Sequence, residues 1–146
     1  MNAQAETQSI SVTYDLPQSP AKVWRALTES SLLASWLMPN DIRPVLGHVF
    51  TFTAQPMPGW DGIVHCKVLE VEPEKRLRYS WCGGPASSRL ETVVAWTLVS
   101  TASGGTLLAL EHSGFLPSNA FALDGMGRGW QGKIADRLRD ALSRST

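Results

Sequence analysis

His112 is the ionisable side chain best placed to do chemistry. It falls on the same parity as Leu108 and Leu110 in an alternating run, so its imidazole shares their apolar side. A histidine on an apolar wall can orient a ligand carbonyl or carboxylate, or move a proton as general acid or base. The plainer alternative is a neutral core histidine bonded to a backbone group or a tyrosine. Tyr14 and Tyr79 also point inward by parity, each an apolar ring with one polar handle of the kind ligand pockets use. Around them stand six tryptophans, Trp24, Trp36, Trp60, Trp81, Trp96 and Trp130. Large aromatics supply much core and interface energy, and a buried indole N–H needs a partner. Their number suits a thick aromatic core or the wall of an apolar cavity. Trp60 sits apart, in a loop with Pro56, Pro58 and Gly59. There it reads as a lid over a pocket mouth, a protein contact, or a ring folded back on a sheet edge.

Other chemistries lack their residues. His48, His65 and His112 do not have metal-ligand spacing, and His65 and Cys66, adjacent in a strand, point to opposite faces. There is no Gly-x-Ser-x-Gly elbow and no glycine-rich phosphate loop. Neither a metal nor another cofactor is expected. The 146 residues carry 13 basic and 13 acidic side chains, without the basic stripe that nucleic acid requires. The most apolar runs, such as Val93 to Val99, are too short to span a bilayer. The polar residues 1–8 contain no basic-then-apolar signal, so the expectation is a cytoplasmic protein with a disordered tail over 1–8 and one domain over 9–144. Two cysteines are too few for a disulfide framework.

The elements that position these residues follow from periodicity. Ile10, Val12, Tyr14 and Leu16 alternate with polar residues as a half-buried strand that Pro17 stops. Ser19 is an N-cap and Pro20 the first residue of a short helix to about Thr28, with Val23, Trp24 and Leu27 on its apolar side. A second short helix from about Ser31 carries Leu32, Leu33, Trp36 and Leu37. Five strands follow between Gly47 and Phe115: Phe50 and Phe52 on one, Ile63 to Glu72, Arg76 to Cys82, one through Leu90 to Leu98, and Thr106 to Phe115. Across the turn at Pro73 to Lys75, pairing Glu72 with Arg76 sets Val71 against Leu77, Glu70 against Arg78 and Leu69 against Tyr79. The same register sets Cys66 against Cys82, where a disulfide is conceivable but free thiols are favoured in a reducing compartment. It also brings Lys67 beside Trp81, which a bulge near Val68 would cure. Such a bulge leaves an inward role open for Glu70; otherwise it belongs to a solvated charge ladder.

Trp130, Ile134, Leu138 and Leu142 recur every four residues on an amphipathic C-terminal helix. Its approach, Ser118 to Gly129, carries Gly125, Gly127 and Gly129 and is expected to be weakly helical or non-helical, as a gate or as close packing on the sheet. One long helix against an antiparallel sheet gives an α+β fold: a curved six-stranded sheet wrapped around the helix, with two short helices between strands 1 and 2. Such a grip closes imperfectly, and the gap is an apolar pocket. Its expected lining is Tyr14, Phe50, Phe52, Tyr79, Trp81, Trp96, Leu110 and His112 from the sheet. Met126, Trp130 and Ile134 join from the helical arm, and Trp60 from the loop.

Several of these segments, in order, resemble the activator of Hsp90 ATPase homologue family. They are Pro20 to Thr28 followed by Trp36-Leu37, Gly47 to Phe52, Val68 to Pro73, Arg76-Leu77 with Tyr79 to Trp81, Gly105-Thr106, His112 to Phe115, and Gly129-Trp130 with Leu138 and Leu142. The resemblance runs from about Ser9 to Leu142 and implies the START-like helix-grip fold of the SRPBCC superfamily. Members usually hold hydrophobic small molecules between helix and sheet. The expectation is therefore binding of a small hydrophobic or amphipathic ligand (lipid-like, polyketide-like or aromatic) by a monomer or weak homodimer. One alternative is a co-chaperone-type module with a chaperone partner and a part in stress response. The other is a cyclase- or hydrolase-like enzyme using His112 with a tyrosine or Glu70.

Overall fold

In the computed structural model, which describes residues 7–84 and 89–144, alternation along the chain becomes one antiparallel sheet. Strand β1 (Gln8–Leu16) buries Ile10, Tyr14 and Leu16 and turns its serines and threonines outward. Helix α1 (Pro20–Thr28) starts where expected, with the Ser19 hydroxyl accepting from the Lys22 N–H at 3.3 Å. Helix α2 (Ser30–Trp36) follows after one residue. The remaining strands are β2 (Val49–Thr53), β3 (Ile63–Glu72), β4 (Arg76–Gly83), β5 (Leu90–Ser100) and β6 (Thr106–Phe115). Their order across the sheet is β1-β6-β5-β4-β3-β2, every pair antiparallel. With the C-terminal helical arm gripped by this curved sheet, the molecule is an α+β helix-grip fold. Of the expected tail, residues 1–6 lie outside the described residues and Gln8 begins β1.

The β3–β4 hairpin pairs Glu72 with Arg76, Val71 with Leu77 and Glu70 with Arg78, then slips. A bulge between Val68 and Glu70 sets Val68, not Leu69, opposite Tyr79. The extra residue inverts facing beyond it. Lys67 is thereby turned to solvent, its N–H donating to the Ser80 hydroxyl at 2.9 Å. The partner of Cys82 becomes His65 rather than Cys66. Cys66 is buried on the inner face, Cys82 is only partly buried, and both are free thiols. The bulge does not bring Glu70 inward. Its carboxylate stays half-exposed, 3.2 Å from Arg76 and 3.4 Å from Arg78.

Against the expectation for Ser118 to Gly129, Ala120–Gln131 is a continuous helix, α3, entered through a 3-10 turn at Pro117–Asn119. Three interior glycines cost about 3 kcal/mol relative to alanine. Full burial of Trp130 and partial burial of Leu123 and Met126 offsets that, at roughly 1.5–3 kcal/mol for each large side chain fully buried. Gly132 ends α3, its N–H shared between the Arg128 and Gly129 carbonyls at 2.9 and 3.2 Å, and α4 (Lys133–Arg144) continues in a new direction. Leu138 and Leu142 of α4 are fully buried. Most of the space between arm and sheet is filled by edge-on rings, Trp36 on Trp96 at 6.0 Å, Trp96 on Trp130 at 5.6 Å and Trp130 on Trp81 at 6.0 Å.

Candidate functional site

The packing stops short at one end. Where β4 ends at Gly83 and Gly84 follows, no side chain of the described residues fills the space beneath the first turns of α3, and a cavity of about 410 Å³ opens there. Small-molecule pockets span roughly 300–1,000 Å³. Val64 of β3, Trp81 of β4 and Leu90 of β5 form its sheet wall. Ala122 and Met126, four apart and so on one side of α3, form its roof, and Phe121 stands at the rim, 93% exposed. The connection between β2 and β3 supplies Met57, Pro58 and Trp60, and the segment after α2 supplies Met38. Ser118 and Asn119 also line it, and among the described residues no charged side chain does.

Of its three readings, the structure places Trp60 folded back on the sheet. Met57 and Trp60 exchange backbone hydrogen bonds at 2.9 and 2.8 Å across a tight turn. The indole folds back on the sheet, its N–H donating to the Ile63 carbonyl at 3.2 Å, and its ring becomes cavity wall. It lies beside Gly83, whose φ of +149° favours glycine; a Cβ there would sit 2.8 Å from the Ile63 oxygen and 3.6 Å from Trp60 Nε1.

Of the expected lining, Trp60, Trp81 and Met126 surround the cavity. Tyr14, Phe50, Phe52, Tyr79, Trp96, Leu110, His112 and Trp130 face inward but are packed in the core, with Ile134 half-buried against it on α4. Parity put these residues on the inner face; it carried no information on which part of that face other rings would cover. Of the residues it missed, Met38 and Met57 lie in loops, Phe121 and Ala122 on the glycine-weakened helix, and Val64 and Leu90 on strands. One signal was present in composition: three of the four methionines, Met38, Met57 and Met126, meet at this cavity.

His112 belongs to a closed polar chain. Trp130 Nε1–H donates to its Nδ1 at 3.2 Å, which leaves the ring proton on Nε2. Nε2 lies 2.8 Å from the Thr92 hydroxyl, which donates onward to the Trp81 carbonyl at 2.7 Å. Burial holds the imidazole neutral, lowering its pKa to about 3. A second ring proton would also face the Trp130 donor. Trp81 packs edge-on against His112 at 5.4 Å, and Trp81 rather than His112 meets the cavity. Burial likewise raises the Tyr14 and Tyr79 hydroxyls well above the ordinary phenol range. The Tyr14 hydroxyl donates to the Trp130 carbonyl at 2.6 Å, and that of Tyr79 accepts from Trp96 Nε1–H at 3.0 Å. These handles hold the core together. Among the described residues no group of three or more His, Cys, Asp or Glu is placed to hold a metal ion.

Similar proteins share this architecture. MLL2253 from Mesorhizobium loti is 37% identical, over 95% of this chain and 99% of its own, with a TM-score of 0.86. CalU16 from Micromonospora echinospora is 26% identical over 95% of this chain and 78% of its own, with a TM-score of 0.73. The Aha1 dimer from Colwellia psychrerythraea is a likeness of fold: TM-score 0.77 and 22% identity, over 94% of this chain and 97% of its own. No curated protein matches the sequence. Among the described residues no helix is long and apolar enough to cross a membrane. Residues 17–143 match the family described as Activator of Hsp90 ATPase homolog 1-like protein, and the chain belongs to that family.

Proposed function

We propose that this protein binds a small apolar ligand in the cavity between α3 and the end of the sheet. The observation that carries the reading is the contrast between two regions of one interior. Around Trp130, at the C-terminal end of α3, the rings are interlocked, whereas beneath the first turns of α3 a mainly apolar space of about 410 Å³ is left, walled in part by methionines and tryptophans. Apolar wall left against water is disfavoured, at roughly 25 cal/mol per Å², and a ligand that covers it removes that cost and adds packing contacts. Thioether walls adapt to irregular shapes and contact aromatic rings favourably. A cytoplasmic setting, where Cys66 and Cys82 remain thiols, completes the reading. Catalysis through His112 has less support, because both its ring nitrogens are engaged and Trp81 stands between it and the cavity.

The test is an NMR titration with a panel of fatty acids, flavonoids, sterols and polyketide-like aromatics. The expected result is saturable shifts of the Met38, Met57 and Met126 methyls and the Trp60 and Trp81 indoles, with Trp36 unmoved. Ala122→Trp, which fills the cavity from α3, should abolish them. Shifts that survive Ala122→Trp, or that scatter over the surface, would place any binding elsewhere.

A further inference from the structure

Resting on that reading, we infer that the ligand is uncharged and carries a hydrogen-bond acceptor, a ketone, ester or quinone-type carbonyl, that docks on the Trp81 indole N–H. Trp81 is 97% buried, since only 3% of its surface is exposed. The indole N–H groups of Trp36, Trp60, Trp96 and Trp130 all donate to protein acceptors, at 3.0, 3.2, 3.0 and 3.2 Å. That of Trp81 has no hydrogen-bond partner among the described residues, and Trp81 Nε1 is not one of the polar atoms sealed away from open space either. The open space against Trp81 is the cavity, whose other polar wall residues are Ser118 and Asn119, the latter with its amide already bonded to the Leu116 N–H and the Arg89 carbonyl, so the Trp81 donor is left facing a mainly apolar chamber. A buried donor left unmade is disfavoured, and a ligand acceptor satisfies it.

The charge of that acceptor follows from the rest of the wall. Among the described residues no lysine, arginine or histidine lines the cavity. A carboxylate brought into it would lose its hydration and meet only neutral donors, which do not compensate an ion. A neutral carbonyl loses far less and gains the same bond. Trp81 is also fixed before any ligand arrives. Its carbonyl is bound by Thr92, and its ring is held between Phe52 at 5.1 Å, His112 at 5.4 Å and Trp130 at 6.0 Å. The donor is therefore set in direction, and little ordering is needed when the acceptor docks.

Three probes of similar shape test this: 2-acetylnaphthalene, its hydrocarbon counterpart 2-isopropylnaphthalene, and 2-naphthoate. The readouts are dissociation constants and the indole ¹⁵N–¹H spectrum. The ketone should bind about fivefold more tightly than the hydrocarbon, as one net hydrogen bond provides, and naphthoate more weakly than either. The ketone alone should move the Trp81 indole proton downfield. In Trp81→Phe, which keeps a ring but no donor, the ketone should lose its advantage and bind no more tightly than the hydrocarbon. Ketone and hydrocarbon bound equally by the unsubstituted protein, or naphthoate bound best, would overturn the inference and leave the cavity reading standing. No binding of any of the three would overturn both.

Discussion

Acid should unfold this protein through His112. In the folded chain, burial lowers the imidazole pKa from its ordinary 6.5 to about 3. In the unfolded chain it titrates near 6.5. The folded value lies below the unfolded one, so neutral His112 contributes fully above about pH 6.5, and that contribution is lost as the pH falls towards 3. Within this window each pH unit removes about 1.4 kcal/mol, and the whole loss approaches about 5 kcal/mol. From pH 7 to pH 4 the loss is about 3 kcal/mol, a large share of a typical total of about 5–15 kcal/mol. The groups packed on the ring, Trp81, Phe115, Trp130 and Thr92, are all uncharged, so no neighbouring carboxylate stabilises an imidazolium.

The assay is urea unfolding at pH 7, 6, 5 and 4, comparing the unsubstituted protein with His112→Asn. The asparagine oxygen can take over the Trp130 N–H, while the contact with Thr92 is lost. The variant is expected to be about 1–3 kcal/mol less stable at pH 7. It should nevertheless lose about 3 kcal/mol less than the unsubstituted protein on going to pH 4. The slope difference carries the test, because any structural damage shifts the whole line without tilting it. Parallel lines would refute the reasoning, as would movement of the His112 ring resonances between pH 7 and 5 while the protein stays folded.

Three other outcomes follow from single positions. With a thiol reagent, Cys82 should react in the native state while Cys66, buried and with its thiol pKa raised by burial, should react only on unfolding; two fast thiols would contradict the bulge-driven separation of their faces. Gly125→Ala should stabilise by about 1 kcal/mol and raise Tm by roughly 3 °C, since an added methyl meets nothing within 4 Å; calorimetry showing a loss would mean that α3 is not helical there. Gly83→Ala should destabilise by about 1–3 kcal/mol through its positive φ and the Ile63 carbonyl, and should displace the Trp60 indole resonance; an unmoved Trp60 would show that its ring does not rest on this glycine.

Local signals decided which parts of the fold could be read from the chain. Ser19 and Pro20 mark the start of α1 because capping is a property of two adjacent residues. The β3–β4 pairing from Glu72–Arg76 to Glu70–Arg78 is legible because charge and apolar character alternate together across the turn. Past Leu69 this fails. A bulge is signalled only indirectly, by the misfit of Lys67 against Trp81, and that misfit does not say which residue is extra. Helix α3 was masked for the opposite reason: its local propensity is poor, and it forms because Trp130 and its neighbours are buried by distant strands. The cavity was legible as a type of place but not as a position. Parity marks Tyr14, Phe50 and Trp96 as inward as firmly as Trp81, and only three-dimensional packing separates a filled interior from an open one.

That separation gives His112 a physical role without chemistry. Side by side lie a region of interlocked rings on the inner face and a cavity walled in part by methionines, and Trp81 is the residue that belongs to both. Its carbonyl is tied through Thr92 to His112, and His112 is tied to the Trp130 indole, so a short polar chain anchors Trp81 of β4 to β5, β6 and α3. A ligand in the methionine-walled chamber thus meets one rigid aromatic wall and one adaptable wall. The rigid wall fixes a direction, and the adaptable one tolerates differences in shape. His112 is then a positioning residue. His112→Asn should leave the cavity able to bind 2-isopropylnaphthalene but narrow the preference for 2-acetylnaphthalene, because the donor it helps to aim is less firmly held. Equal loss of both probes would assign His112 to stability alone, whereas an unchanged preference would show that the packing of Phe52 and Trp130 suffices to hold Trp81 in place.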